Sequence, residues 1–193
     1  LSKDVREGKR LEPGTMGDRV TIARAGEIDI DPDDMPQVIT GTHKRRWAVT
    51  SAVRNVLGNE GWLPNPGEPI ICKKNSQDHN LINGMMCQTV DCKGEKSLCK
   101  LNVMNDADQW LEVDCSTMLF AEHVERSRWK GKNAPPKWEV FDFAHAITCH
   151  SAQGSQWDHV LVYDEGWVFK EEARRWSYTA CTRAAERLSV VLT

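Results

Sequence analysis

Three short strings in the last quarter of the chain carry the residue types from which chemistry could be built. In Ala146-Ile147-Thr148-Cys149-His150-Ser151-Ala152-Gln153-Gly154-Ser155-Gln156-Trp157, an apolar strand end delivers a dense polar run interrupted by a glycine. Strand ends of parallel sheets are where α/β proteins gather ligand-binding loops. Thr148, His150 and Ser151 could donate to a phosphate backbone, while Gln153, Gly154 and Gln156 could line a nucleotide edge; a glycine turn beside a satisfied core histidine is the alternative. In Tyr178-Thr179-Ala180-Cys181-Thr182-Arg183-Ala184-Ala185-Glu186-Arg187-Leu188, Arg183 falls at the end of a helix just before a last strand. There it either compensates the helix dipole or offers an always-charged fork to a transferring phosphoryl group. Val160-Leu161-Val162-Tyr163-Asp164-Glu165 is an apolar strand closing on two carboxylates, which either hold magnesium beside phosphates or cap a loop or helix.

The loop that would cradle those phosphates is missing. Neither Gly8-Lys9 nor Gly131-Lys132 has the upstream glycine or the following Ser or Thr of G-x-x-x-x-G-K-[ST]. No metal site is assigned. His79, Cys87, Cys92 and Cys99 come nearest to a zinc set, but C-x4-C-x6-C is not a zinc-ribbon spacing, and scattered cysteines are ordinarily small buried hydrophobes. Among the eight tryptophans, Trp157 is the candidate for stacking an unpaired base, because it adjoins the polar run. Trp47, Trp110 and Trp167 are expected in the core or at a domain interface.

The elements that must position these strings follow an interrupted α/β pattern. A short helix at 3–9 and a strand at 19–23 open a polar region, and the acidic stretch 29–34 reads as a solvated loop or a capped helix start. A buried strand at 38–41 runs into a helix at 44–57. After the turn cluster Pro64-Asn65-Pro66-Gly67-Glu68-Pro69, short β runs at 70–73, 86–91, 97–103 and 110–113 are separated by Gly, Asn and Asp, as in a small barrel or meander. An exit linker at 130–136 leads back to α/β: a strand at 141–148, a strand at 159–163, a helix at 171–181 and a strand at 188–192. The expected organisation is one discontinuous α/β domain, 1–63 and 134–193, with a β module inserted at 64–133.

The chain has 193 residues, 40% apolar and 27% charged, enough for a real core and unlike a disordered or membrane-embedded protein. Its 25 Lys and Arg against 28 Asp and Glu give a net charge of −3, so nucleic-acid binding must come from a local patch. The seven cysteines include no C-x-x-C and are expected to be reduced. There is no run of about 18 apolar residues, and the opening LSKDVREGKR lacks the hydrophobic stretch of a secretory signal. A soluble, cytoplasmic protein without membrane partners is expected, and a chain that opens on Leu reads as a piece of something longer.

Taken in order, these strings resemble motifs V and VI of superfamily one DNA helicases, in the branch of RecD-like enzymes (exonuclease V alpha subunits) and phage Dda-like helicases. His150 to Trp157 resembles H-[KS]-[AS]-Q-G-S-[EQ]-[FW], and Tyr178 to Ala184 resembles Y-T-[AG]-[VIL]-T-R-A. Val38-Ile39-Thr40-Gly41-Thr42-His43-Lys44-Arg45-Arg46 is similar to motif IV, Asp4 to Lys9 to the segment after motif III, and Pro66 to Ile71 with Asn75 and Leu81 to Gly84 to the start of an inserted SH3-like module.

The resemblance implies the second RecA-like domain of a motor that binds ATP and Mg2+ mainly through a separate N-terminal RecA-like domain and moves along single-stranded DNA. Arg183 and Arg46 would reach the γ-phosphate across the interdomain cleft, and Gln153, Gly154 and Gln156 would relay nucleotide state. Thr42, Thr148, His150 and Ser151 would touch the DNA backbone, with Asn83 and Trp157 as further contacts. The fragment alone would be inactive. His43 stands where relatives carry Asn, Ser151 replaces a commoner Lys and so removes a cationic phosphate contact, and Phe143-Ala144-His145 departs from an aromatic-Gly-aromatic string. The rival reading is a stand-alone nucleic-acid-binding or regulatory module with a degenerate helicase fold.

Overall fold

The computed structural model describes residues 1–28, 30–32, 34–95, 97–122 and 137–193, so the expected exit linker at 130–136 lies outside the described residues. In chain order the elements are α1 (Ser2–Glu7), β1 (Gly14–Met16), β2 (Val20–Arg24), β3 (Gln37–Thr40), α2 (His43–Val56), β4 (Pro69–Cys72), β5 (Met86–Glu95), β6 (Leu98–Asn105), β7 (Trp110–Ser116), α3 (Met118–Glu122), β8 (Glu139–Phe143), β9 (Ala146–Thr148), β10 (Trp157–Asp164), a 3-10 helix (Gly166–Glu172), α4 (Ala173–Cys181) and β11 (Ala184–Leu192). They form two compact units, Leu1–Val49 with Ala146–Thr193, and Thr50–His145. Among the described residues no helix is long and apolar enough to cross a membrane.

The first unit is a six-stranded sheet in the order β1-β2-β11-β10-β3-β9. Only β1 runs antiparallel to its neighbour; the other five strands are parallel. Central parallel strands are covered on both faces and therefore read as continuous apolar runs. Val160, Leu161 and Val162 of β10 accordingly lie buried beside Leu188, Ser189 and Val190 of β11. Because the five strands share a direction, Arg24, Thr40, Thr148, Asp164 and Leu192 all end at one rim, and Trp157 pairs with Ala184 at the other.

The second unit closes β4-β5-β6-β7-β8 into a barrel. Inward-facing Ile70, Leu101, Val103, Phe141 and Phe143 fill it with Phe120 from α3, whose ring centroid lies 5.0 Å from that of Phe143. A buried polar network completes it. Arg54 donates to both carboxylate oxygens of Glu68, at 2.7 and 3.1 Å, and to the Gly61 and Leu63 carbonyls, while its guanidinium lies 4.3 Å from the Phe143 ring centre. His145 Nε2 meets Glu68 Oε1 at 2.8 Å, and the Asn65 N–H donates to Oε2 at 2.7 Å. Burial pushes the Glu68 carboxyl up, but the bonds from His145, Arg54 and Asn65 outweigh it and hold the group at about 2.

Several expectations are corrected. The strand expected at 141–148 is two strands: β8 closes the barrel, β9 joins the sheet, and Ala144-His145 make the transfer. Every residue from Phe141 to Ile147 is buried, the polar Asp142 and His145 included, so burial does not change where the chain passes from one sheet to the other. The barrel unit is therefore wider than 64–133, since it needs β8 to close and includes Arg54 as the partner of Glu68. The helix expected at 171–181 begins at Ala173; a 3-10 segment precedes it, interrupted at Lys170 with φ 50°. Strand β1 escaped notice because all its residues are exposed. Trp110 and Trp167, expected in core or interface, are 68% and 70% exposed.

Candidate nucleotide and nucleic-acid interface

The polar run expected to carry chemistry crosses the sheet unit from rim to rim. Thr148 ends β9 at one rim, Trp157 starts β10 at the other, β3 lies between them, and residues 149–156 make the crossing in turns. Ala152 and Cys149 anchor it by burial. The Cys149 thiol donates to the Trp176 carbonyl at 3.7 Å, and burial lifts it to about 11, so it remains a neutral packing group. Thr148 Oγ1 lies 3.2 Å from Ser151 Oγ, and the backbone turns back through Ala152 N–H to Thr148 O and Gln153 N–H to His150 O. These bonds leave His150, Gln153, Gly154 and Gln156 exposed, with Ser151 and Trp157 half-buried. Gly154 has φ +89°, a conformation that favours glycine and permits the last reversal before β10.

Arg183 joins this crossing. After the C-terminus of α4 its Nε donates to Thr179 O at 3.1 Å, Nη1 to Ser155 O at 3.1 Å and Nη2 to Thr182 Oγ1 at 3.3 Å. Its own carbonyl accepts the Trp157 N–H at 3.0 Å. A guanidinium has five N–H donors, so three fix the side chain and about two are left to face an anion. The residue is half-buried, which strengthens such a contact over one made in open water.

At the opposite rim, Glu165 organises the turn from β3 into α2. Its carboxylate accepts from the Gly41 N–H at 2.9 Å, the Thr42 N–H at 3.1 Å and the Thr42 hydroxyl at 3.1 Å, and lies 3.5 Å from Arg45 Nε. The Thr42 hydroxyl also accepts the Arg45 N–H at 3.2 Å and so caps the helix. A Cβ at Gly41 would fall 2.8 Å from Glu165 Cβ and 3.2 Å from a Phe169 ring carbon, which is why the turn takes glycine. Of the two readings of Asp164-Glu165, capping is thus the one Glu165 performs. Sequence reasoning missed the identity of its partners, which lie more than a hundred residues away.

The remaining candidates are dispersed. Arg46, in the first turns of α2, is 6% exposed with its guanidinium 5.6 Å from the Trp47 ring centre. Asn83 belongs to the barrel unit, where it is exposed and its N–H donates to Asn75 Oδ1 at 2.7 Å. Cys87, Cys92 and Cys99 lie in barrel strands, with Cys99 paired to Cys115 across β6 and β7. Among the described residues no group of three or more His, Cys, Asp or Glu is placed to hold a metal ion.

Comparison with known proteins bears on this geometry. Residues 143–191, which contain both the crossing and Arg183, match the UvrD-like helicase C-terminal domain. A search of curated protein sequences finds no match. In fold, the chain is similar to the crystal structure of Pif1 helicase from Candida albicans, at 14% identity over 85% of this chain and 47% of that one, with a TM-score of 0.56. It is similar also to Bacteroides Pif1 bound to ssDNA, at 13% identity over 86% of this chain and 42% of that one, with a TM-score of 0.55. This chain thus spans less than half the length of either structure, and the likeness is one of fold, an α/β fold with a mixed sheet that, with the family match, is that of a helicase C-terminal domain.

Proposed function

We propose that the chain is the C-terminal portion of an ATP-dependent DNA helicase of superfamily one: a RecA-like domain, with an SH3-like barrel inserted, that completes a motor when it closes on a separate RecA-like domain carrying the phosphate loop. The RecD-like and Dda-like strings of motifs V and VI support that branch. The observation that carries the reading is the join between Arg183 and the 149–156 crossing: its Nη1 donates to Ser155 O and its carbonyl accepts the Trp157 N–H, so one residue holds the segment that links the two rims of the sheet. ATP and Mg2+ would be held by the separate domain. The residues here fit a supporting role toward the nucleotide, since Arg183 keeps about two free N–H donors for phosphate oxygens.

In this reading Arg183 stabilises charge on the transferring phosphoryl group; Arg46, expected beside it, instead lies buried in the first turn of α2 next to Thr42, at the opposite rim, and is not assigned to that group. Gln153, Gly154 and Gln156 sense closure, and Thr148, His150 and Ser151, with Thr42, bind the single strand; Trp157, at the Arg183 rim, and Asn83, in the barrel unit, are separate proposed contacts. Supplying the arginine across an interface makes hydrolysis conditional on closure, and closure that shifts a DNA-binding loop turns hydrolysis into a step. Similarity to Bacteroides Pif1, described as bound to ssDNA, supports the choice of nucleic acid. The test is phosphate release by the full-length polypeptide with and without oligothymidylate. Strand-stimulated hydrolysis that Thr148→Ala with His150→Ala uncouples is expected. A full-length protein that binds the strand but never hydrolyses ATP would move the assignment to a binding module.

A further inference from the structure

Toward the other end of the rim where Thr42 and Thr148 lie, a cleft of about 760 Å³ opens between residues 8–13, the ends of β2, β10 and β11, and the start of α4. Its lining includes Arg24, Arg174 and Trp167, all exposed. Trp167 is 70% exposed, and its indole N–H donates to Thr193 Oγ1 at 3.5 Å. Among the described residues no hydrogen bond or ion pair engages the guanidinium of Arg24 or of Arg174. Lys9, in the same wall, is different: Asp4 and Glu7 neutralise it at 2.7 and 3.1 Å. The carboxylate in the lining nearest the strand ends, Asp164, accepts from Ser177 Oγ at 3.5 Å.

Two guanidinium groups with no hydrogen-bond or ion-pair partner among the described residues, that of Arg174 packed over Gly8, and an exposed indole around one concavity match the alternation of phosphate and base along a single strand. The cleft is also continuous with the candidate DNA rim. Asp164 and Gly166, which line it, flank the Glu165 that holds Gly41 and Thr42, and Phe169 packs against Gly41. From β9 to β11 the rim crosses three strand spacings, about 14 Å, a distance a few nucleotides span.

We propose that this cleft is a second contact for single-stranded nucleic acid, with phosphates on Arg24 and Arg174 and a base stacked on Trp167, extending the path that begins at Thr148 and His150. The inference rests on the DNA-binding reading of that rim. An acidic peptide would satisfy the arginines, but the exposed flat face of Trp167 and the continuity with Thr42 favour the strand.

The experiment is a fluorescence anisotropy titration of labelled oligothymidylate with the 193-residue chain, repeated over a salt series. Trp167→Ala should weaken binding about 5- to 150-fold, the range of one lost base stack, and Trp167→Phe should recover most of it. The Arg24→Ala, Arg174→Ala double variant should flatten the log K against log salt slope by about 1.4, that is about 0.7 per phosphate contact. Unchanged affinity and slope in these variants, with binding weakened by Thr148→Ala and His150→Ala, would overturn the cleft assignment and leave the rim reading standing. No binding by the unsubstituted chain would overturn both. Arg174-dependent binding of an oligoglutamate in place of the oligothymidylate would assign the cleft to an acidic protein partner and overturn the proposal.

Discussion

Arg183 Nη1 donates to the Ser155 carbonyl at 3.1 Å, so the arginine proposed to meet a nucleotide also holds the end of the loop proposed to report on it. The Trp157 N–H bonded to Arg183 O keeps the backbones together even if the side chain swings away. A phosphate that draws the guanidinium outward therefore acts on Ser155 first and on β10 last.

In the full-length enzyme, Arg183→Ala should lower kcat by about 10³ with a modest change in nucleotide affinity, as for an arginine acting mainly on the transition state. Arg183→Lys should not restore the rate, because one ammonium cannot reproduce bonds to Thr179 O, Ser155 O and Thr182 Oγ1 while also meeting a phosphate. Steady-state kinetics decides this. An unchanged kcat returns Arg183 to dipole compensation at the end of α4.

The 193-residue chain by itself should release no phosphate from ATP above background, with or without single-stranded DNA, because it carries no G-x-x-x-x-G-K-[ST] loop. Turnover by the pure chain, abolished by Arg183→Ala, would place a complete nucleotide site within it and contradict the two-domain reading.

Glu68→Ala should destabilise the barrel unit by about 3–5 kcal/mol, since it leaves Arg54 buried without its carboxylate; Glu68→Gln, which keeps hydrogen-bonding capacity, should cost less. Glu68 is held at about 2 against an ordinary value of 4.5. A carboxyl depressed on folding stabilises the native state above its unfolded pKa and loses that contribution as pH falls. The unsubstituted chain should thus lose on the order of 3 kcal/mol between pH 5 and pH 2 through this group alone. Urea midpoints across that range test it, and a Glu68→Gln variant with the same acid sensitivity would remove Glu68 as the cause.

Glu165→Ala should destabilise the sheet unit by about 1–3 kcal/mol, because the Gly41 and Thr42 amides lose their acceptor at the start of α2. Glu165→Gln retains one oxygen acceptor and should fall between. Thermal melts of the three proteins give the order, and equal melting temperatures would show that water replaces the carboxylate without loss.

The sequence made the parallel strands and both motif strings legible, because β10 and β11 each carry a short buried run, Val160–Val162 and Leu188–Val191, and polar residues cluster beyond their ends. It did not reveal where the chain changes sheets, since Phe141 to Ile147 are uniformly buried. Nor did it reveal the Glu165 cap or the Arg54, Glu68 and His145 network, whose members meet only through the tertiary fold. Trp167 was misplaced for a related reason: tryptophan usually signals packing, and an exposed one is visible only when the surface is.

Strand β11 lies in the sheet interior, between β2 and β10. Until Ala184–Leu192 is in place, β1 and β2 have no connection through hydrogen bonds to β10, β3 and β9. In the folded sheet β11 holds the place of a keystone, hydrogen-bonded on both sides. Truncation just after Arg183 would therefore divide the sheet in two rather than trim an edge, and would release Trp157 from its pairing with Ala184 at the start of β10.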